Sequence, residues 1–171
     1  MKSMLLALVL ISGMGLAEAF GIDYEARAKA GDSAAQYYLA EALLGQRDYA
    51  GAEYWARRAA EQGQADGWAI LAELRMRSED VSGYTQAKAL AEKAVANGSD
   101  RGKVVLGKVL ANTLSGSADY QGALRLLKEA ASDMENDAAV DAQLALGMMY
   151  AAGVGLVAYG LCGILGRNPF S

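Results

Sequence analysis

The chain has 171 residues, 53% apolar and 21% charged, with 20 Gly, one Pro, one Cys, no His and a formal charge of −4. Lacking His, it has no imidazole base and almost no route to a zinc site; one Cys gives no disulfide framework, and the acidic balance gives no footing for nucleic acid. Ala (35) and Leu (22) make up a third of the sequence and the only proline is Pro169, so composition predicts an all-α chain of one domain.

Residues 1–19 have the layout of a cleavable signal peptide. Lys2 supplies the positive start, Met4 to Leu16 carry no charge, and Ala17-Glu18-Ala19 forms an A-x-A-like cleavage site before Phe20. The apolar run is short for a membrane span, and no Cys stands at the cleavage point to make a lipoprotein. Export follows as an expectation, to the periplasm in a bacterium, where Cys162 has no partner and stability must come from packing.

An internal repeat organises the middle of the chain. Tyr49, Tyr84 and Tyr120 are 35 and 36 residues apart; Ala52, Ala87 and Ala123 follow three positions later, and Trp55, Leu90 and Leu126 six positions later. Small pairs close the series at Ala59-Ala60, Ala94-Val95 and Ala130-Ala131. A second series runs Leu39-Ala40, Leu71-Ala72, Leu106-Gly107 and Leu146-Gly147, each with a small residue four positions before its Leu, as at Ala35. Each unit therefore reads as two helices, A around the Leu and B from the Tyr onward, since offsets of three, six to seven and ten to eleven share one helical stripe.

The punctuation agrees with this reading. Gly63 and Gly98 suit the positive-φ position after helix B, and Asp32, Ser99 and Asp137 are candidate N-caps of A helices. Gly45-Gln46-Arg47-Asp48, Ser82-Gly83 and Ser115-Gly116-Ser117 carry the chemistry of turns between A and B. The pattern predicts an αα-hairpin solenoid of about three and a half units over residues 20–155, whose units contact only their neighbours.

Two stretches are specific enough to suggest a family. Trp55 to Gly63 read W-A-R-R-A-A-E-Q-G, and Leu146 to Gly155 read L-G-M-M-Y-A-A-G-V-G. Both resemble halves of the Sel1-like repeat, a relative of the tetratricopeptide repeat; the resemblance covers residues 30–155, with units two and three degenerate. It implies a scaffold or adaptor that binds other proteins, with no enzyme activity and no cofactor. Some exported bacterial members resemble immunity proteins that neutralise phospholipase effectors of type VI secretion systems. This short, signal-bearing, cysteine-poor chain looks like that group, with an envelope scaffold as the alternative. Cysteine-rich secreted members associated with β-lactams are a poorer match, because their paired cysteines are missing here.

In such solenoids the A helices line the concave face. Aligning them gives one column of Gln36, Trp68, Lys103 and Gln143 and another of Glu41, Glu73 and Lys108, with Arg101 nearby. The candidate partner-binding residues are therefore Gln36, Glu41, Trp68, Glu73, Arg101, Lys103 and Lys108, in a groove running from acidic to basic. Trp68 would be its anchor, and Tyr37-Tyr38 are assigned to the core. No catalytic constellation stands out, and Gly153-Val154-Gly155 follows a helix rather than a strand, so it is read as a turn and not as a phosphate loop.

Residues 156–171 break the pattern. Between Asp141 and Arg167 lie 25 uncharged residues, and a Gly-rich apolar tail stands where helix B of unit four should be. Three readings stay open: a tail foreign to the domain after a reading-frame change, a C-terminal membrane anchor, or an irregular cap. On the first, the A helix of unit four exposes Leu144, Met148 and Met149 and favours association.

Overall fold

A computed structural model describes residues 23–115, 118–132 and 138–152. The expected signal peptide, the Asp137 cap, Gly116-Ser117, Gly153-Val154-Gly155 and the tail 156–171 lie outside the described residues. Among the described residues the chain forms α1 (Tyr24–Lys29), α2 (Ser33–Gly45), α3 (Tyr49–Glu61), α4 (Ala65–Met76), α5 (Val81–Ala96), α6 (Asp100–Leu110), a 3-10 turn (Thr113–Ser115), α7 (Tyr120–Ala131) and α8 (Ala138–Ala151). No strand occurs among them. Helices α2, α4, α6 and α8 are the A series; α3, α5 and α7 are the B series.

Local chemistry explains where each helix starts. All three B helices begin with the same device, an Asp whose Oδ1 accepts the backbone N–H of a Gly three residues on: Asp48 from Gly51 at 3.0 Å, Asp80 from Gly83 at 2.6 Å and Asp119 from Gly122 at 2.9 Å. The Gly leaves room for the cap, since a Cβ on Gly122 would lie 2.3 Å from Asp119 Oδ2. This device corrects one expected turn: Ser82-Gly83 sits inside the first turn of α5, because Asp80 starts that helix early. Asp32 and Ser99 cap α2 and α6 as expected, at 3.0 and 2.7 Å.

The joint from a B helix into the next A helix is stereotyped. Gly63 and Gly98 adopt φ of +93° and +87°, and Gly31, after α1, adopts +99°. At each joint the Gly N–H reaches the carbonyl three residues back, and the next N–H reaches the carbonyl five back: Ala60 and Ala59, Val95 and Ala94, Ala28 and Arg27. Thus α1 joins α2 just as α3 joins α4 and α5 joins α6.

The two residue series interlock as their spacing requires. Ala35, Gly67, Gly102 and Ala142, four positions before the repeated Leu, are all buried, as are Ala52, Ala87 and Ala123 on the B helices. At Gly67 the approach is backbone to backbone: an added Cβ would lie 2.7 Å from the Ala56 carbonyl oxygen and 2.8 Å from the Ala60 nitrogen. Larger side chains fill the spaces beside these seams, and Ile70, Val104, Val105, Val109 and Leu127 are essentially inaccessible. Burying a branched side chain of this kind contributes roughly 1.5–3 kcal/mol. Among the described residues the core is a string of three apolar clusters, around α2–α3–α4, α4–α5–α6 and α6–α7–α8. Each A helix also touches the A helix of the next unit. The fold is an all-α solenoid of helical hairpins.

One expectation about α8 needs correcting. Leu144 and Met148 are exposed as foreseen, but Met149 is buried, and Val140 takes its place on the exposed stripe. Met149 lies three positions after the repeated Leu, as the buried Leu74 and Val109 do in α4 and α6, and so faces the array.

Candidate functional site

All four A helices contribute to one cleft of about 350 Å³. Tyr37, Tyr38 and Glu41 come from α2, Asp66 from the first turn of α4, Ser99, Asp100 and Arg101 from the start of α6, and Ala138 and Asp141 from the first turn of α8. Units one and four meet across the same space, so the A helices form the inner surface of a curved array.

Arg101 is the hub of this surface. Its Nη1 donates to Glu41 Oε1 of unit one, and its Nε and Nη2 donate to the two carboxylate oxygens of Glu73 in unit two at 3.2 and 3.1 Å. Nη1 also lies 3.4 Å from the Tyr37 hydroxyl. One guanidinium thereby clamps A helices from three consecutive units, a use for which its planar fork suits it better than a Lys. Burial works against the charge of Arg101, but Glu73, Tyr37 and Glu41 outweigh it and hold its pKa above the ordinary value. Burial pushes the Tyr37 phenol up to about 12, against the opposing pull of Arg101, so it stays protonated at neutral pH and keeps an O–H to donate.

The remaining polar groups are tied to the scaffold and still face the cleft. Ser99, nearly fully buried, accepts from Gly102 N–H as the cap of α6 and donates its hydroxyl to Asp66 Oδ1, joining α6 to α4. Lys103 Nζ donates to Asp100 Oδ1 at 2.7 Å. Tyr38 is half exposed, with ring centroids of Tyr24 and Tyr37 at 5.2 and 5.0 Å. Among the described residues lining the cleft, four carboxylates (Glu41, Asp66, Asp100 and Asp141) and two tyrosines thus surround one cation, Arg101, with Lys103 bonded to Asp100 from outside the lining. Such a surface can seat a polar, positively charged segment beside aromatic faces. No group of three or more His, Cys, Asp or Glu suited to a metal occurs among the described residues.

The structure sorts the residues expected to line the groove. Glu41, Glu73 and Arg101 come together on the inner face. Gln36 does not: it is 1% exposed, donates to the Ala28 carbonyl at 3.1 Å and accepts from Gln62 Nε2 at 2.8 Å, so it is a buried joint between α1, α2 and the end of α3. Trp68 lies outside the cleft lining, wedged between two apolar clusters with the Lys93 ammonium 3.5 Å from its ring centroid. Lys103 and Lys108 are half-buried outside the lining, and Gln143 lies exposed on α8. The expected acidic-to-basic gradient is absent, because Arg101 turns back onto the glutamates.

The reason is angular. Each residue turns a helix by about 100°, so positions seven apart share a face while positions five apart lie roughly 140° around it. Relative to the repeated Leu, Glu41 and Glu73 stand at +2, and the −5 column of Asp66, Arg101 and Asp141 lies beneath them. The column of Gln36 and Trp68 stands at −3 and faces the neighbouring helices. Tyr37 and Tyr38, assigned to the core by the sequence, are cleft residues as well.

Fold and cleft together define a helical-hairpin solenoid with a polar inner surface. Over 138 residues the chain is 48% identical to the Sel1-repeat-containing protein YjcO of Escherichia coli K12, a match covering 81% of this chain and 60% of that protein; an uncharacterised YjcO of Shigella flexneri matches to the same extent. A crystal structure of a Sel1 repeat protein from Klebsiella pneumoniae subsp. pneumoniae superposes with a TM-score of 0.73 at 50% identity, over 79% of this chain and 65% of that one. The chain spans about 60% of the length of the curated relatives it matches. No family profile matches the sequence.

Proposed function

We propose that this chain is a protein-binding repeat protein that acts without bond making and docks a partner in the inner cleft through Tyr37, Tyr38, Glu41, Asp66, Asp100 and Asp141. The observation that carries the reading is the convergence of four A helices, from Tyr37 to Asp141, on one polar cleft. The excess of carboxylates selects a partner segment bearing Lys or Arg, and the Tyr37–Tyr38 pair offers ring faces for it. The Sel1-repeat names of its relatives support the interaction role, since repeat arrays present extended concave surfaces of this kind.

The finer reading is an exported protein, delivered to the periplasm by residues 1–19, that neutralises a secreted phospholipase effector by covering its active site or access path. Its support is the short, signal-bearing, cysteine-poor sequence. The test is co-purification from periplasmic extract, followed by titration of the captured protein with variants. Tyr38→Ala and Asp141→Lys should each weaken binding about tenfold or more, on the scale of a lost contact of 1.4 kcal/mol, while Glu92→Ala on the outer face of α5 leaves it unchanged. Equal affinity of all three variants would remove the cleft from the interface. A bound partner with no lipase activity would set aside the immunity reading and leave the binding role standing.

A further inference from the structure

Three joints of one geometry differ in the residue that precedes their glycine. Ala30, Gln62 and Asn97 end α1, α3 and α5 with φ/ψ of −75°/−4°, −89°/6° and −100°/13°, ahead of Gly31, Gly63 and Gly98. Of the three, Asn97 alone carries an amide that the next main-chain nitrogen can reach by closing a five-membered ring, the reaction that makes Asn a thermally labile residue. Ala30 has no amide, and Gln62, one methylene longer, needs a six-membered ring that closes far more slowly. Gly98 has no Cβ to hinder the approach, and Asn97 is exposed to water.

We propose that Asn97–Gly98 is a site of spontaneous covalent modification, gated by opening of the joint between α5 and α6. The Gly98 nitrogen gives its proton to solvent and bonds to Asn97 Cγ; the Cγ–Nδ2 bond breaks, and Nδ2 takes a proton from solvent and leaves as ammonia. Water then opens the cyclic imide. Breaking the bond from the Gly98 nitrogen to Cγ yields aspartate. Breaking the bond from that nitrogen to the Asn97 main-chain carbonyl carbon yields isoaspartate, whose main chain runs through Cγ and is one carbon longer. Either product carries a carboxylate in place of the amide, and water is the only co-reactant.

The closed joint holds both reacting groups apart. The Gly98 N–H donates to the Val95 carbonyl at 2.9 Å, and Asn97 Nδ2 donates to the Lys93 carbonyl at 2.8 Å. Ser99 keeps these bonds shut: its N–H reaches the Ala94 carbonyl at 3.0 Å, and its hydroxyl ties Gly102 N–H to Asp66. Ring closure therefore waits on local opening. Once modified, the joint cannot close as before. A carboxylate has no proton to donate to the Lys93 carbonyl, and its charge stands at the negative end of α5. Isoaspartate also displaces Gly98 and Ser99, both of which line the inner cleft. None of this depends on what the cleft binds.

The test is incubation of the full chain in mildly alkaline buffer, with peptide mapping for isoaspartate over time. It should accumulate at position 97 while Gln62 remains an amide, and at least about tenfold more slowly in the folded protein than in the same chain unfolded in urea. Ser99→Ala should speed the folded reaction about fivefold, the shift in opening expected from a lost helix cap. Asn97→Gln, built on the pattern of Gln62, should stay unmodified and keep its urea midpoint on ageing, whereas the midpoint of the aged unmodified sequence falls. Absence of isoaspartate at 97 from the folded protein and from Ser99→Ala alike would overturn the proposal. Equal rates in the folded and unfolded chains would remove the gate, and equal midpoints of the two aged proteins would show that the joint tolerates the change.

Discussion

The joints that lead from a B helix into the next A helix and the turns that lead from A to B within a unit solve the same geometrical problem with different latitude. At the joints the chain uses Gly31, Gly63 and Gly98 with positive φ and one repeated hydrogen-bond pattern. At the turns it uses Arg47 (φ 65°), Glu79 (φ 52°) or a 3-10 turn, with lengths that vary from unit to unit; the first turn keeps the hydrogen bonds of the joints, Arg47 N–H to the Leu44 carbonyl and Asp48 N–H to the Leu43 carbonyl, without their Gly. The joints at Gly63 and Gly98 lead from one unit into the next, so among the described residues they set how units two and three sit on the units before them. The turns only reverse the chain at the edge. Among the described residues, geometry is therefore more uniform at the joints than at the turns.

The sharpest way to break this contrast is at Gly67, the third residue of α4. A Cβ there meets backbone atoms of Ala56 and Ala60 at 2.7 and 2.8 Å, and backbone cannot swing aside as a side chain can. Gly67→Ala should destabilise the protein by about 3 kcal/mol by forcing α3 and α4 apart. Gly63→Ala, four residues earlier, meets open space and suffers only from its φ of +93°, a cost of about 1 kcal/mol. Urea midpoints for the two variants test the distinction; equal losses would mean that the close crossing does not set the geometry of the joint.

A step down in size lies the clamp on the inner face. Arg101→Ala removes the cation from Glu41 and Glu73 and leaves two carboxylates facing each other between units. Loss of one partner from a buried pair costs about 3–5 kcal/mol, and the partial exposure of Glu41 (43% at its side chain) lowers the expected loss here to about 2 kcal/mol. Part of that loss should return in Arg101→Ala, Glu73→Gln, where the mutual repulsion is relieved; no recovery in the double variant would show that packing, and not charge, holds the inner face.

The legibility of the fold and of the site differed for a physical reason. The repeat was plain because its columns are small residues at close seams, where only Ala or Gly fits: Ala35, Gly67, Gly102 and Ala142 on the A helices, Ala52, Ala87 and Ala123 on the B helices. The caps Asp48, Asp80 and Asp119 also repeat, and were legible as Asp-x-x-Gly, but Tyr84 comes four residues after its cap whereas Tyr49 and Tyr120 follow theirs directly, which hid the motif. The cleft was half legible. Glu41, Glu73 and Arg101 lay on the correct face, but the column of Gln36 and Trp68 shared a register with them and not a face. Surface columns carry no size constraint, so only helical angle separates a groove from a seam. Asp66, Arg101 and Asp141 at one register were the available signal.

The smallest effect is the most direct probe of the loose turns. Arg47 is exposed and holds a left-handed conformation that costs a non-glycine residue about 1 kcal/mol, yet it sits where the joints place Gly. Arg47→Gly relieves that strain and adds conformational freedom to the unfolded chain, so the gain should be only about 0.5 kcal/mol, read as a small rise in urea midpoint. Because Arg47 lies on the edge of the array and outside the cleft, the same variant should bind a partner as the unmodified protein does. A turn that stabilises the fold without touching recognition is what a solenoid with rigid joints and free turns requires; a change in binding on Arg47→Gly would show that the turns, too, help to shape the inner surface.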